Sequence, residues 1–403
     1  MKVRKMNKNK AFNKLIIGQM IANIGDTIYT IAIVSSVFTL TNSALAASIV
    51  PVIITGSMVL SGLLTPLIVV RVSLSKILQI SQLCKTLILA GLAVYLQVAI
   101  EHLDLTILYV FIVGIAFLDG CAEPVSTALI PYYVAEYYLI RANSIFSTML
   151  QVVSIGSWAI GSSLLIIFSV TNLVWLDVGL FLLSAIILWL LPQVAKGAES
   201  ERNEWENFIM GWQGIRKCSL VRVVVGMDIL ETIANTAWVS AIVLVYVKEV
   251  LHVSESWWGY INATYFAGAM VGSVIVMRNS DWINQHKSKA VIMGSLFGGV
   301  VTFLVAPGWN PVFILICSVF VGIFSQIKNI PQATAIQQTI PKDMLAPIYA
   351  AMNVLYTGTF ALSSVSMGLI SESFGVQTVF GVSGTLLFIV AMIAKKKRTL
   401  FDE

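Results

Sequence analysis

Several ionisable and amide side chains stand inside long apolar stretches of this 403-residue sequence. An ionisable side chain deep in a lipid bilayer is energetically costly, so it normally faces a partner or a water-filled cavity. A carboxyl group in such a cavity can bind a proton on one side of a membrane and release it on the other. The residues that could carry this chemistry are Asn23, Asp26, Asp119, Glu123, Asp228, Glu231, Asn235, Trp238, Lys328 and Gln332.

The spacing of these side chains follows the period of an α-helix. Gln19, Asn23, Asp26 and Thr30 are four, three and four residues apart, which places them on one helical face. Three later apolar stretches carry similar polar stripes around the acids and the lysine named above. Such stripes predict a wet groove inside the molecule. In the last of these stretches, Pro331 is expected to break the helix locally.

Structural interpretations of the same residues remain open. Lys328 could pair structurally with one of three acids, namely Glu123, Asp228 and Glu231. Asp228 could also be a solvated acid near a helix end. The sequence identifies no partner for Lys85. Asp177 is interpreted as structural. Because the acids outnumber Lys328, a cavity containing them should favour cationic or neutral amphipathic compounds. Trp238 and Tyr29 could stack on such a compound.

The composition places this chain in a membrane. Apolar residues make up 58% and charged residues 11% of the sequence, against about 45–50% and roughly 25% in soluble domains. The charges form short clusters between apolar runs, which argues against nucleic-acid binding despite a net charge of +5. The sequence shows no metal-ligand or disulfide spacing, no phosphate loop and no nucleophile–base pair. We therefore expect neither an enzyme, nor a metal site, nor a cofactor.

Counting apolar stretches gives the architecture. A helix needs about 20 apolar residues to cross roughly 30 Å of hydrocarbon, and twelve stretches qualify. The prediction is an all-α membrane protein with twelve transmembrane helices in two six-helix halves. The predicted spans are residues 13–40, 44–70, 75–100, 105–130, 139–169, 173–192, 221–248, 257–277, 289–306, 312–333, 345–370 and 375–394.

Two further patterns concern orientation and helix packing. Lys and Arg concentrate in alternate connections and in both terminal segments. By the positive-inside rule, this predicts a multi-pass protein of the cell membrane with both termini cytoplasmic. The pairs Gly268/Gly272 and Gly294/Gly298 have the GxxxG spacing that allows helices to pack closely.

An internal repeat divides the chain. Val113-Gly114-Ile115 in the fourth predicted span corresponds to Val321-Gly322-Ile323 in the tenth, about 208 residues later. The repeat predicts an N-terminal half over 1–192 and a C-terminal half over 221–403. The linker, 193–220, has apolar residues at helical spacing and is interpreted as an amphipathic helix on the cytoplasmic surface.

Several segments resemble a known family. Gly18-Gln19, the run Asn23-Ile24-Gly25-Asp26 and the triplet Arg141-Ala142-Asn143 are similar to macrolide-efflux-type drug/proton antiporters of the major facilitator superfamily. The resemblance implies that helices 1, 4, 7 and 10 line a central cavity. It also implies that Arg71, Lys76 and Arg141 form a conformational gate.

The sequence departs from that family in two places. Arg71 and Lys76 match basic positions between the second and third helices, but the family's Asp is replaced by Val70. The fifth-helix antiporter motif reads Gly156 to Gly161 without its proline and one glycine. Both losses leave the expected fold intact but weaken the case for proton antiport.

The resemblance and the acids together suggest proton-coupled efflux of a small compound by alternating access, with a substrate, protons and the lipid bilayer as partners and the protein as a monomer. Drug efflux and antibiotic resistance would follow from such an activity. Alternatives are a uniporter, or an exporter of a self-made metabolite such as a siderophore or antibiotic. A receptor or assembly protein on the same fold is the alternative outside transport.

Overall fold

A computed structural model describes residues 10–41, 44–98, 104–194, 204–239, 241–254 and 256–402. Every regular element in these ranges is helical, as the apolar pattern predicted. The helices are α1 Lys10–Thr41, α2 Ala44–Arg71, α3 Leu74–Val98, α4 Leu105–Tyr133, α5 Leu139–Ile167, α6 Val170–Trp189, α7 Glu204–Lys217, α8 Ser219–Val239, α9 Ala241–Glu249, α10 Ser256–Arg278, α11 Ser280–Gln285, α12 Lys287–Val305, α13 Pro311–Thr339, α14 Lys342–Phe374, α15 Val376–Lys396 and α16 Thr399–Asp402, with one 3₁₀ turn, Glu136–Tyr138.

The described residues contain eleven segments that are long and apolar enough to cross a bilayer, with α8 and α9 together forming one of them. The helix α5 lies where the fifth span is predicted and is 29 residues long. Each of the twelve predicted spans thus coincides with a helix, or with the α8–α9 pair. The predicted amphipathic linker helix is present as α7, in which Trp205 is exposed and Ile215 is buried.

The chain forms two compact units. Unit 1 comprises the described parts of Met1–Val134, Val153–Trp212 and Lys342–Val354. Within it α1 packs on α2 and α6, and α3 packs on α4 and α6. Its apolar core surrounds Ile33, Leu92 and Ile112, which are completely buried.

Unit 2 comprises the described parts of Ala135–Val152, Gln213–Pro341 and Leu355–Glu403. Within it α13 packs on α10 and α12, and α15 packs on α8 and α12. Its core surrounds Tyr246, whose hydroxyl donates to the Val305 carbonyl at 2.6 Å, and Phe380. The helix α13 continues through Pro331, so the predicted local break is wrong. Neighbouring helices can support a proline inside a membrane helix.

Glycines bring α10 and α13 into backbone contact. A Cβ on Gly268 would overlap the carbonyl group of Val319, and one on Gly272 would lie 2.6 Å from the Ile323 carbonyl oxygen. On α13, Gly322 faces the Ala269 backbone nitrogen in the same way. The close contact predicted from the glycine spacing is therefore confirmed for this pair of helices.

We expect Gly268→Ala to destabilise the protein, because the added methyl group has no space against α13. Overpacking of this kind costs about 1–3 kcal/mol, which should outweigh the gain in helix propensity of about 1 kcal/mol. The matched control is Gly259→Ala in the same helix, where a Cβ would meet nothing within 4 Å. Thermal denaturation of the purified protein in detergent should show a lower midpoint for Gly268→Ala alone. Equal midpoints would contradict the packing described here.

Candidate functional site

A buried lysine joins three helices of unit 1. Lys85 of α3 donates hydrogen bonds to Asp26 of α1 at 2.7 Å and to Asp119 of α4 at 2.9 Å. The lysine side chain is 1% exposed, whereas those of Asp26 and Asp119 are 22% and 35% exposed. The ammonium group also lies 4.7 Å from the ring centroid of Phe181 on α6, a favourable cation–π distance. The cluster of Lys85, Asp26 and Asp119 is called the Lys85 cluster below.

The helical period explains why Lys85 points inward. Leu78, Gln82, Lys85, Leu89 and Leu92 are three or four residues apart and are all buried, so they form the inner face of α3. The sequence alone indicates no partner for Lys85, because its two acids lie on other helices, 59 and 34 residues away. The available signal was the helical spacing of Lys85 from Leu78, Leu89 and Leu92, which places a lysine on the inner face of α3.

Unit 2 contains a second buried lysine with two acids. Lys328 of α13 donates to Asp228 at 2.9 Å and also forms an ion pair with Glu231, one turn further along α8. The lysine side chain is 2% exposed, against 16% for Asp228 and 8% for Glu231. Lys328, Asp228 and Glu231 form the Lys328 cluster. Of the three acids considered as its partners, the structure pairs Lys328 with Asp228 and Glu231.

Two further side chains fix Asp228. Gln332, one turn after Lys328 on α13, donates to its Oδ1 at 2.7 Å, and Tyr356 of α14 donates to its Oδ2 at 2.7 Å. Asp228 therefore accepts hydrogen bonds from three side chains and is not simply a solvated acid at a helix end. Tyr356 was not among the predicted cavity residues, and its signal in the sequence was a hydroxyl in a long apolar helix.

Three further predicted cavity residues form hydrogen bonds with groups other than the two lysines. Glu123 is exposed and accepts from Asn353 at 3.1 Å, within unit 1. The side chain of Asn23 donates to the Gln19 carbonyl of its own helix. Asn235 lies one turn after Glu231 on α8, is half-buried and donates a side-chain hydrogen bond to the Glu231 carboxylate, so it adjoins the Lys328 cluster.

Trp238 belongs to the core of unit 2. Its side chain is buried, its indole N–H donates to the Thr302 hydroxyl at 3.2 Å, and its ring packs edge-on against Phe380. The structure therefore does not bring Trp238 into the Lys328 cluster. Tyr29, the other proposed stacking residue, is also buried, in unit 1.

The three residues predicted as a gate lie at helix ends. Arg71 is the last residue of α2, Lys76 is in the first turn of α3, and both are exposed. Arg141 is in the first turn of α5 and is half-buried. Two residues later, Asn143 donates to the Thr334 hydroxyl at 2.9 Å and to Gln337 at 2.8 Å, both on α13 within unit 2.

The charged groups of the two clusters are acids and lysines, and their net charge determines which ligands they can bind. Over the part of the chain that the structure describes, no group of three or more His, Cys, Asp and Glu side chains is placed to hold a metal ion. Each cluster joins one cation to two carboxylates, so it carries one uncompensated negative charge when all groups are ionised. That charge can be neutralised by a proton or by a cationic ligand.

Comparison with known sequences identifies the family. The sequence profile of the Major Facilitator Superfamily matches residues 15–364. An uncharacterized MFS-type transporter of Bacillus subtilis, YfmI, is 27% identical over 387 residues, which cover 95% of each chain. A second one, YjbB of the same species, is 26% identical over 391 residues, covering 96% of this chain and 95% of the relative.

Solved structures show the same fold. The E. coli fucose:proton symporter FucP matches with a TM-score of 0.77 at 14% identity, covering 96% of this chain and 98% of that one. The human organic anion transporter MFSD10 matches with a TM-score of 0.78 at 10% identity, covering 96% and 99%. With the profile matched over most of its length, this chain belongs to the Major Facilitator Superfamily of membrane transporters.

Proposed function

We propose that this secondary transporter couples the entry of protons to the export of a small cationic or neutral amphipathic compound by alternating access. The observation that carries the proposal is the charge balance of the Lys85 and Lys328 clusters. Each has one buried lysine and two carboxylates, and each unit contains one such cluster. The proposal places the protein in the cell membrane as a monomer, with both termini in the cytoplasm.

The excess carboxylate provides a physical basis for coupling. An unneutralised charge in a low-dielectric interior is costly, so each cluster favours a state in which one further positive charge is bound. A proton and a cationic substrate can both supply that charge. If only one of them is bound at a time, release of the proton on one side permits substrate binding there, and the two fluxes move in opposite directions.

Lys85 adds a second buried cation, but the expected preference for a cationic or neutral substrate stays the same. Lys328 was the single base expected among the acids from the sequence, whereas Lys85 also pairs with two acids in the structure. Four carboxylates against two lysines still leave two negative charges. A cationic or neutral compound therefore remains the better fit, and an anionic one would be repelled.

Other observations support parts of the proposal. The solved relative FucP is a fucose:proton symporter, so proton coupling occurs on this fold. The direction of export rests on the resemblance to macrolide-efflux-type antiporters in Asn23-Ile24-Gly25-Asp26 and Arg141-Ala142-Asn143. We assign the gate to Arg71, Lys76 and Arg141 on the same basis.

We expect Lys328→Met to destabilise the protein strongly, because it leaves Asp228 and Glu231 without their cation. Removing one partner of a buried ion pair costs about 3–5 kcal/mol. Adding Asp228→Asn and Glu231→Gln to Lys328→Met should recover much of the lost stability, since no buried charge then remains in the cluster. Thermal denaturation in detergent measures both effects.

The control for that series is Lys289→Met, which removes an exposed lysine near the start of α12. Its denaturation midpoint should stay near that of the unmodified protein. If the triple variant were no more stable than Lys328→Met alone, lost packing rather than charge imbalance would explain the loss. The charge argument would then be wrong.

Coupling itself is tested in proteoliposomes. A panel of lipophilic cations and neutral amphipathic compounds is first screened for accumulation, and a transported compound is then applied under an imposed pH gradient. We expect proton movement that depends on this compound, and we expect Asp26→Asn to abolish it while the protein remains folded. Glu372→Gln, which alters an exposed acid of α14, serves as the control.

Three results would contradict the proposal. Full coupled transport by Asp26→Asn would reject the role of that acid. Substrate flux without any proton movement in the unmodified protein would favour a uniporter, and binding without flux would favour a receptor.

A further inference from the structure

Asp177 is a completely buried carboxyl group that the Lys85 cluster does not neutralise. It lies on α6, and its exposed fraction is 0%. Across the residues that the structure describes, no donor lies within hydrogen-bonding distance of either of its carboxylate oxygens. An ionised carboxylate without a hydrogen bond or a counter-ion is costly to bury in an apolar environment. Its neutral, protonated form avoids that cost.

A glycine on α1 creates the space that Asp177 occupies. A Cβ built on Gly25 would overlap Oδ1 of Asp177 and would lie 2.6 Å from the ring of Phe181. The carboxyl group therefore rests directly against the backbone of α1. Tyr29 follows Gly25 by one turn, on the same helical face. Its side chain is 3% exposed, and its hydroxyl likewise has no hydrogen-bond partner among the described residues.

The titratable and charged groups that face Asp177 come from the two helices packed against α6. From α1 they are Asp26 and Tyr29, and from α3 there is Lys85. Lys85 is already bound to two other carboxylates and lies over the ring of Phe181. Asp177 is thus a third acid near Lys85, which donates its hydrogen bonds to Asp26 and Asp119.

We propose that Asp177 binds an exchangeable proton, and that this is a second proton-binding site of unit 1, separate from the Lys85 cluster. Asp26 directly follows Gly25 in the chain, and its side chain is 22% exposed. Asp26 also interacts electrostatically with Asp177, so the proposal includes Asp26 as the group through which a proton passes between water and Asp177. The inference deepens the proposed proton coupling, and the place of this proton in the transport cycle rests on that function.

Infrared difference spectroscopy of the purified full-length protein tests the site directly, because a protonated carboxylic acid has a carbonyl stretch that a carboxylate lacks. The probe is the proton alone, varied by stepwise changes of pH. We expect a band of the unmodified protein that weakens as the pH rises, is absent in Asp177→Asn and persists in the control Glu372→Gln. Tyr29→Phe should keep the band, because the Tyr29 hydroxyl makes no hydrogen bond to Asp177.

Two spectra would overturn the inference. One is a spectrum of Asp177→Asn identical to that of the unmodified protein, which would show that Asp177 holds no proton. The other is a band that stays constant over the whole pH range in which the protein remains folded, which would make Asp177 a permanently protonated packing residue. If Asp177→Asn does not fold, Asp177→Glu retains a carboxyl group and should displace the band. An undisplaced band would again overturn the inference.

Transport measurements separate this inference from the proposed function. If the proton on Asp177 takes part in the cycle, Asp177→Asn should lower the number of protons moved per substrate molecule. An unchanged ratio would overturn that role and leave the Lys85 and Lys328 clusters as the coupling sites. If the unmodified protein moves no protons with substrate, proton coupling fails, while the infrared band still decides whether Asp177 binds a proton.

Discussion

A lysine held between two carboxylates is the interaction on which each unit of this transporter depends. In unit 1 the ammonium group of Lys85 joins α3 to α1 and α4, and in unit 2 that of Lys328 joins α13 to α8. Each lysine is nearly inaccessible to water, so its attraction to the acids is weakly screened. Because the acids are in excess, the arrangement that holds the helices together also leaves a charge for transport. The same two lysines and four carboxylates thus contribute to stability and to the proposed function.

The two units have the same ratio of lysine to carboxylates, but the charged groups are distributed differently over the helices. In unit 1 the cation stands on the third span and its acids on the first and fourth. In unit 2 the cation lies on α13 and both acids lie on α8. In both units a buried lysine is paired with acids, although different helices supply these residues.

The helices could be predicted from the sequence because a bilayer imposes a minimum apolar length on every span. Part of the candidate site could also be predicted, since Asp228 and Glu231 lie in one polar stripe and Lys328 and Gln332 in another. Pairing Lys85 with Asp26 and Asp119 was out of reach, because it depends on which faces of three separate helices meet. The core position of Trp238 depends likewise on a neighbour, Thr302 of α12, that no local pattern indicates.

The backbone contact between α10 and α13 has a consequence for how this chain can vary. Gly268, Gly272 and Gly322 fix the rotation of α13 against α10, and Lys328 lies on the same helix beyond them. An α-helix turns by about 100° per residue, so one inserted or deleted residue between Gly322 and Lys328 would swing the ammonium group away from Asp228 and Glu231. Natural variants of this segment should therefore differ by replacement of side chains, whereas changes of length should be confined to the connections between helices.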